Sequence, residues 1–354
     1  MKGTPRPTRL GWLPLVAAPV LGVLSVMTVD SWLLLLAGAS LGLGVAAILL
    51  RPRLLDLDVF ITVPPRAAVG EVVMTHVEVR NHGRRTSPLS TVTHCAAGLS
   101  DVEVVVDGLE PGASASLWVQ REAVARCRTT TSLVRVVSSA PLGLVATSAA
   151  GPVPTPLTVH PRLAAVPLPA GRARDAEGAK ARADRAGADI HGVREWRSGD
   201  PARAVHWRST ARRGRLVVFE RETPDAGAVN ILLHGDSTQP GFEHLVSVVA
   251  STGLVALSAG CSVLLQVAGP GPSALSCAAR GDRGQRTQLL DWCAGVAPTR
   301  WADRGELEAA VAAAGRRGLL YVAAVAAPYG WWELARAVAA PAGVQVSALP
   351  GSGP

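Results

Sequence analysis

Two uncharged runs near the start of the chain constrain its fold more than any other feature. Leu10 to Thr28 and Trp32 to Leu50 each hold nineteen residues without a charge. A helix of that length crosses the roughly 30 Å hydrocarbon core of a bilayer. Val29, Asp30 and Ser31 between them form a short polar turn, so the pair reads as a transmembrane hairpin within residues 1–53. A cleaved signal peptide would also begin with residues such as Lys2, Arg6 and Arg9. The second apolar run, following at once, argues for the hairpin instead. Lys2, Arg6 and Arg9 precede the first run and Arg51 and Arg53 follow the second, whereas the turn carries only Asp30. The positive-inside bias then predicts a two-pass plasma-membrane protein with both termini cytoplasmic and the bilayer meeting residues 10–28 and 32–50.

The chain as a whole is too long for one ordinary domain. It has 354 residues, a formal charge of +8 and only two lysines, Lys2 and Lys180, so its basicity is carried by arginine. Its mean hydropathy of +0.27 fits a chain with membrane segments. The five cysteines (95, 127, 261, 277 and 293) are widely spaced and form no CxxC pair or Cys/His cluster. A zinc site is therefore not expected, and unpaired thiols suit a reducing compartment.

Residues 54–165 read as short strands. VVMTHVEVRN, VEVVVDGL and SLVRVVSSA carry β-branched residues in partial alternation, with turn formers such as Asn81-His82-Gly83 and Pro111-Gly112 between them. That texture predicts a small antiparallel β-sandwich. His76, His94 and His160 have no catalytic neighbours in the sequence. Residues 166–190 are small, charged and poor in large apolar side chains, the composition of a flexible linker. Residues 228–350 alternate apolar strands with helices: VNILLH, CSVLLQV, LLYVAAV and VQVSAL against HLVSVVASTGLVALSAG and WWELARAVAA. This pattern predicts an α/β domain with a parallel sheet covered on both faces. No phosphate-binding glycine motif is present, so no nucleotide cofactor is expected.

Between these modules, in residues 191–227, lies the densest chemistry of the chain. From Gly192 to Glu222 eight arginines interleave with Trp196, His206 and Trp207, and with Glu195, Asp200, Glu220 and Glu222. Gly199-Asp200-Pro201 is a turn signal with Asp200 available as a cap. A short helix after it would bring Arg203, Trp207 and Thr210 onto one face, guanidinium beside indole. Arg194 and Arg212 have acids nearby for bidentate pairing. Asp200, His206 and Ser209 supply the group types of a hydrolase triad, but on a helix His206 and Ser209 are i,i+3 neighbours without a nucleophile elbow.

The run Arg194-Glu195-Trp196-x-x-Gly199-Asp200-x-x-Arg203-x-Val205-His206-Trp207-Arg208-x-Thr210-Ala211-Arg212 resembles the signature of the domain-of-unknown-function 58 family. Leu216-Val217-Val218-Phe219-Glu220 resembles the strand that follows it in that family. Pro141-Leu142-Gly143-Leu144 is similar to an upstream element, with Ala140 and Leu142 in place of Asp and Phe, and Val159-His160-Pro161 is similar to the end of the family's sandwich. The resemblance implies a membrane-anchored protein whose α/β domain is von Willebrand factor A-like and which accompanies a MoxR-type AAA+ ATPase. It transfers no catalytic residues. Such a domain binds Mg²⁺ through D-x-S-x-S after its first strand, with hard oxygen ligands. Here Leu233-His234-Gly235-Asp236-Ser237-Thr238 stands in that place, with His234 at the first Asp position. A degenerate, metal-free site at His234, Asp236, Ser237 and Thr238 is expected.

The resulting expectation is a non-catalytic, membrane-tethered adaptor that docks protein partners through Arg194, Glu195, Trp196, Gly199, Asp200, Arg203, His206, Trp207, Arg208 and Arg212. The alternatives are binding of an anionic ligand, nucleic acid or lipid, through the arginines, or an uncharacterised hydrolase. The acids within the segment and the lack of a recognised nucleic-acid fold argue against nucleic acid.

Overall fold

The computed structural model describes residues 4–51, 54, 56–167, 190–196, 205–221, 228–235, 241–267, 273–278, 283–314, 319–324 and 327–349. The chain divides into two compact units, Met1–His160 and Pro161–Pro354.

The first unit begins with a strand, β1 (Thr4–Pro7), that the sequence reading missed. Two helices follow, α1 (Trp12–Thr28) and α2 (Ser31–Leu49), joined at Val29 and Asp30. Asp30 caps α2 by accepting a hydrogen bond from Trp32 N–H at 3.0 Å. Only α2 is long and apolar enough to cross a membrane among the described residues. The expectation of two transmembrane helices, and with it the two-pass topology, is corrected to one candidate span. The reason lies at the start of α1. Thr8 N–H donates to Leu144 O, and Thr8 Oγ1 donates to Gly143 O at 2.7 Å while accepting from Gly11 N–H at 3.0 Å. Leu10 and Gly11 are thereby drawn into a turn on the sandwich, and Pro19 sits inside the shortened helix. A Cβ on Gly11 would stand 2.0 Å from Leu144 O, so the approach requires glycine.

The sandwich is as expected from alternation. One sheet has the order β1-β9-β8-β5-β6 and the other β2-β4-β7; these are β2 (Leu57–Thr62), β4 (Val72–Asn81), β5 (Ser90–Cys95), β6 (Val102–Val106), β7 (Ser114–Glu122), β8 (Cys127–Ser138) and β9 (Val145–His160). A short strand, β3 (Arg66–Ala68), lies parallel to β9. In β4 and β6 every second residue points inward: Val77 and Val79 share one core with Val92, Val102, Val104, Val134 and Val136, and Val73 packs in a second with Leu99, Leu157 and Val159. Period-two burial on facing sheets is what closes a sandwich.

The second unit holds a five-stranded sheet of order β14-β13-β12-β15-β16, namely β12 (Ala228–His234), β13 (Ser262–Val267), β14 (Ser273–Cys277), β15 (Leu319–Ala324) and β16 (Gln345–Ala348). The four strands read from the sequence pair in parallel. The fifth, β14, was not foreseen and runs antiparallel to β13. The connection from Val267 to Ser273 is too short for the crossover that a parallel neighbour requires. The fold class of two membrane helices followed by a von Willebrand A-like, parallel-sheet domain is therefore corrected: the sheet is mixed, and antiparallel pairing prevails among the described residues. Helices α4 (Phe242–Ser258) and α5 (Arg283–Gly295) share one core with Val229, Ile231 and Leu233 of β12. Helices α6 (Arg304–Ala314) and α7 (Trp331–Ala339) share the other with Leu232. Ala164 N–H donates to Ser251 Oγ at 2.8 Å and Val166 packs on the first of these cores. The unit thus begins before the expected linker, and residues 168–189 of that linker lie outside the described residues.

Candidate docking surface in the signature segment

The signature segment forms a small element of its own. Strand β10 (Ile190–Glu195) pairs antiparallel with β11 (Val217–Arg221), setting Glu195 opposite Val217. Between them runs α3 (Trp207–Arg213), a seven-residue helix ended by Gly214 at φ 65°, a left-handed conformation that favours glycine. The helix starts later than the turn signal implied, because His206 N–H donates to Val217 O at 2.7 Å. Thr210 faces inward and its Oγ1 accepts from Val217 N–H at 3.1 Å. Val205 and Val217 are buried beneath.

The outward face is the opposite in character. Trp207 is 67% exposed. Arg208, Arg212 and Arg213 are exposed and have no ion-pair partner among the described residues. Arg215 pairs with Glu195, and Trp196 is held by its backbone N–H on Leu216 O at 3.0 Å. His206 Nδ1 and Ser209 Oγ lie 2.6 Å apart within the first turn of α3. The structure therefore brings together Glu195, Trp196, His206, Trp207, Arg208 and Arg212. Arg194 is placed in β10 by its backbone, opposite Val218. Gly199, Asp200 and Arg203 lie outside the described residues, so the expected Arg203–Trp207 stack and any Asp200 contact fall there too.

His234 ends β12, the central strand, where neighbouring strands are reached in opposite directions. In open α/β sheets ligands lie outside the carboxyl ends of the strands at this switch point. Here that place is filled by rings: Trp301 lies 4.5 Å and Trp331 5.4 Å from the buried His234 ring, centroid to centroid. His234 Nε2 accepts from Ala302 N–H, and Trp331 Nε1 donates to Ala302 O at 3.3 Å. Asp236, Ser237 and Thr238 lie outside the described residues. Among the described residues no group of three or more His, Cys, Asp or Glu is placed to hold a metal ion.

The polar cluster that the sequence reading overlooked is inside the sandwich. Arg121 is 2% exposed; its Nε donates to Ser100 O at 2.7 Å and its Nη1 to His94 Nδ1 at 2.6 Å. A guanidinium only donates, so the ring proton of neutral His94 sits on Nε2 and points to Ser132 Oγ at 2.7 Å. Ser132 then reaches Thr155 Oγ1 at 2.6 Å, and Thr155 donates to Val153 O at 3.3 Å. Burial first, and Arg121 second, pull the His94 pKa down from 6.5 to about 4. No local spacing betrays this chain, since the bonded pairs Arg121–His94, His94–Ser132 and Ser132–Thr155 are 23 to 38 residues apart in sequence.

No protein-family model matches the chain, and no curated protein does. Solved structures match small parts of it. The CARDB domain of a Pyrococcus furiosus protein in complex with di-metal ions is 17% identical, with 28% of this chain and 87% of that one covered and a TM-score of 0.20. A β-glucosidase from Listeria innocua in complex with gluconolactone is 14% identical over 29% of this chain and 16% of that one, with a TM-score of 0.17. The alkylpurine DNA glycosylase AlkC from Pseudomonas fluorescens, bound to DNA containing an abasic site analog, is 9% identical over 28% and 30%, also at 0.17. Likenesses of this size carry no argument about fold or activity.

Proposed function

We propose that the chain is a membrane-tethered, non-catalytic adaptor, anchored by α2, whose α3 docks an acidic surface of a partner protein on the cytoplasmic side. The observation that carries this reading is the placement of charge on α3. Arg208 lies in its first turn, at the positive end of the helix dipole, and Arg212 follows at i+4. Like charges at that spacing cost a helix a few tenths of a kcal/mol. Arg212 and Arg213 in the last turn suit the helix dipole, but Arg208 in the first turn opposes it; carboxylates of a partner relieve that charge while its apolar side chains pack on exposed Trp207. The inward residues Thr210 and Val217 hold the face in place. The resemblance of the segment to the domain-of-unknown-function 58 signature supports a MoxR-type AAA+ ATPase as that partner.

Capture from detergent-solubilised membranes with the full-length chain tests the proposal. Wild type should enrich an AAA+ ATPase, and Arg208→Ala/Arg212→Ala should lose it while retaining the same circular dichroism. Identical capture profiles for the two baits would overturn the docking role.

A further inference from the structure

The first unit contains a cavity of about 420 Å³ that the adaptor reading does not use. It lies between the start of α1, the end of α2 and the sandwich edge at Leu144 and Val145. Trp12, Leu15 and Ala18 line it from α1, and Leu41, Val45 and Ile48 from α2. The α2 residues recur at i, i+4 and i+7, which sets them on one helix face. At 1.5 Å per residue they make an apolar wall extending roughly 10 Å along the helix. Arg6 and Arg51 also line the cavity, and among the described residues no acidic side chain does. Neither arginine has an ion-pair partner among the described residues. An apolar trough with two unpaired cations is complementary to a molecule with an anionic head and an apolar tail. Arg51 follows the end of α2, the position at which a membrane helix meets the headgroups, and basic pockets beside membrane helices hold anionic lipid heads.

We infer that this cavity binds one anionic phospholipid of the surrounding bilayer, its phosphate between Arg6 and Arg51 and an acyl chain between α1 and α2. The inference rests on the membrane anchoring by α2 proposed above. The bound lipid would fill the trough between the helix pair and the sandwich.

The test uses full-length protein in phosphatidylcholine vesicles carrying increasing fractions of acyl-brominated phosphatidylglycerol. Flotation reports insertion, and bromine quenching of Trp12, taken as wild type minus Trp12→Phe, reports occupancy. Brominated phosphatidylglycerol should quench saturably, and at a lower mole fraction than brominated phosphatidylcholine. Removing one arginine, Arg6→Gln or Arg51→Gln, should raise the half-saturating fraction roughly 5-fold, in line with the attraction of one basic side chain to an anionic surface. Arg9→Gln, a neighbouring charge outside the cavity, should leave it unchanged. Gly44→Leu tests the apolar part, because Gly44 lines the cavity and nothing lies within 4 Å of an added Cβ. That variant should float normally and lose the saturable quenching. Equal quenching by both lipids, or an equal shift in Arg9→Gln, would overturn the site while leaving the anchor intact. A wild-type chain that fails to float would remove the anchor and the lipid site together.

Discussion

Arg121 and the arginines of α3 belong to one residue type in one basic chain, yet they stand in opposite surroundings. Arg121 is sealed in the sandwich with its donors committed to Ser100 O and His94 Nδ1. Arg208, Arg212 and Arg213 stand in solvent around Trp207 with no acid of the described chain against them. The difference teaches that arginine content does not reveal which arginines hold the fold. The dense segment draws the eye, whereas the single arginine between Gln120 and Glu122 carries the larger structural load. Burying a polar group without partners costs 1–3 kcal/mol, and an exposed charge costs little to remove.

The contrast is broken most sharply by deletion inside the sandwich. Arg121→Ala leaves buried His94 Nδ1 and half-buried Ser100 O without their donor and should destabilise the first unit by about 4 kcal/mol. Hydrogen exchange of the β4 and β8 amides in the full-length chain measures it. A loss below about 1 kcal/mol would place Arg121 in the same class as the surface arginines.

The next effect is set by pH. His94 titrates near 6.5 when unfolded and at about 4 when folded, so the unfolded chain binds the extra proton first. Stability is fully present above 6.5 and falls as pH drops towards 4, by about 3 kcal/mol in all, since each pH unit of pKa difference is worth about 1.4 kcal/mol. His94→Gln should flatten that slope in sandwich amide exchange between pH 7 and pH 4.

A smaller effect is expected where the signature segment holds itself together. Thr210→Val removes the acceptor for Val217 N–H and should cost about 1 kcal/mol, confined to β10, α3 and β11. Exchange of the Val217 amide reads it. The smallest belongs to the surface: Arg208→Ala/Arg212→Ala should alter stability by less than about 0.5 kcal/mol.

Much of this fold was legible because burial writes a period into the sequence. Alternating valines marked β4 and β6, and apolar runs bounded by turns marked β12, β13, β15 and β16. The misses have equally physical causes. β1 contains Pro5 and Pro7, which donate nothing to a ladder and are tolerated only on an edge, where β1 indeed sits beside β9. β14 is short and has no β-branched residue, and its pairing is dictated by the brevity of the link from β13. The first apolar run promised a spanning helix, but hydrogen bonds to Leu144 and Gly143, far along the chain, consumed its beginning. The signature segment was legible as an element and as a set of residue types. The division of its side chains into an inward Thr210 and an outward Trp207 and Arg208 emerges only from the pairing with β11. His94 was dismissed for want of neighbours because Ser132 arrives from β8 through strand pairing and Arg121 from β7 in the facing sheet.

The claim that separates these two groups of arginine is that those of α3 exist for a partner. Quantitative capture from solubilised membranes, with wild type and Arg208→Ala/Arg212→Ala compared at matched thermal stability, addresses it directly. The account predicts a partner, an AAA+ ATPase, that is retained by wild type and lost by the variant with no change in melting temperature. Unchanged capture, or a variant that loses its partner only because it unfolds, would contradict it.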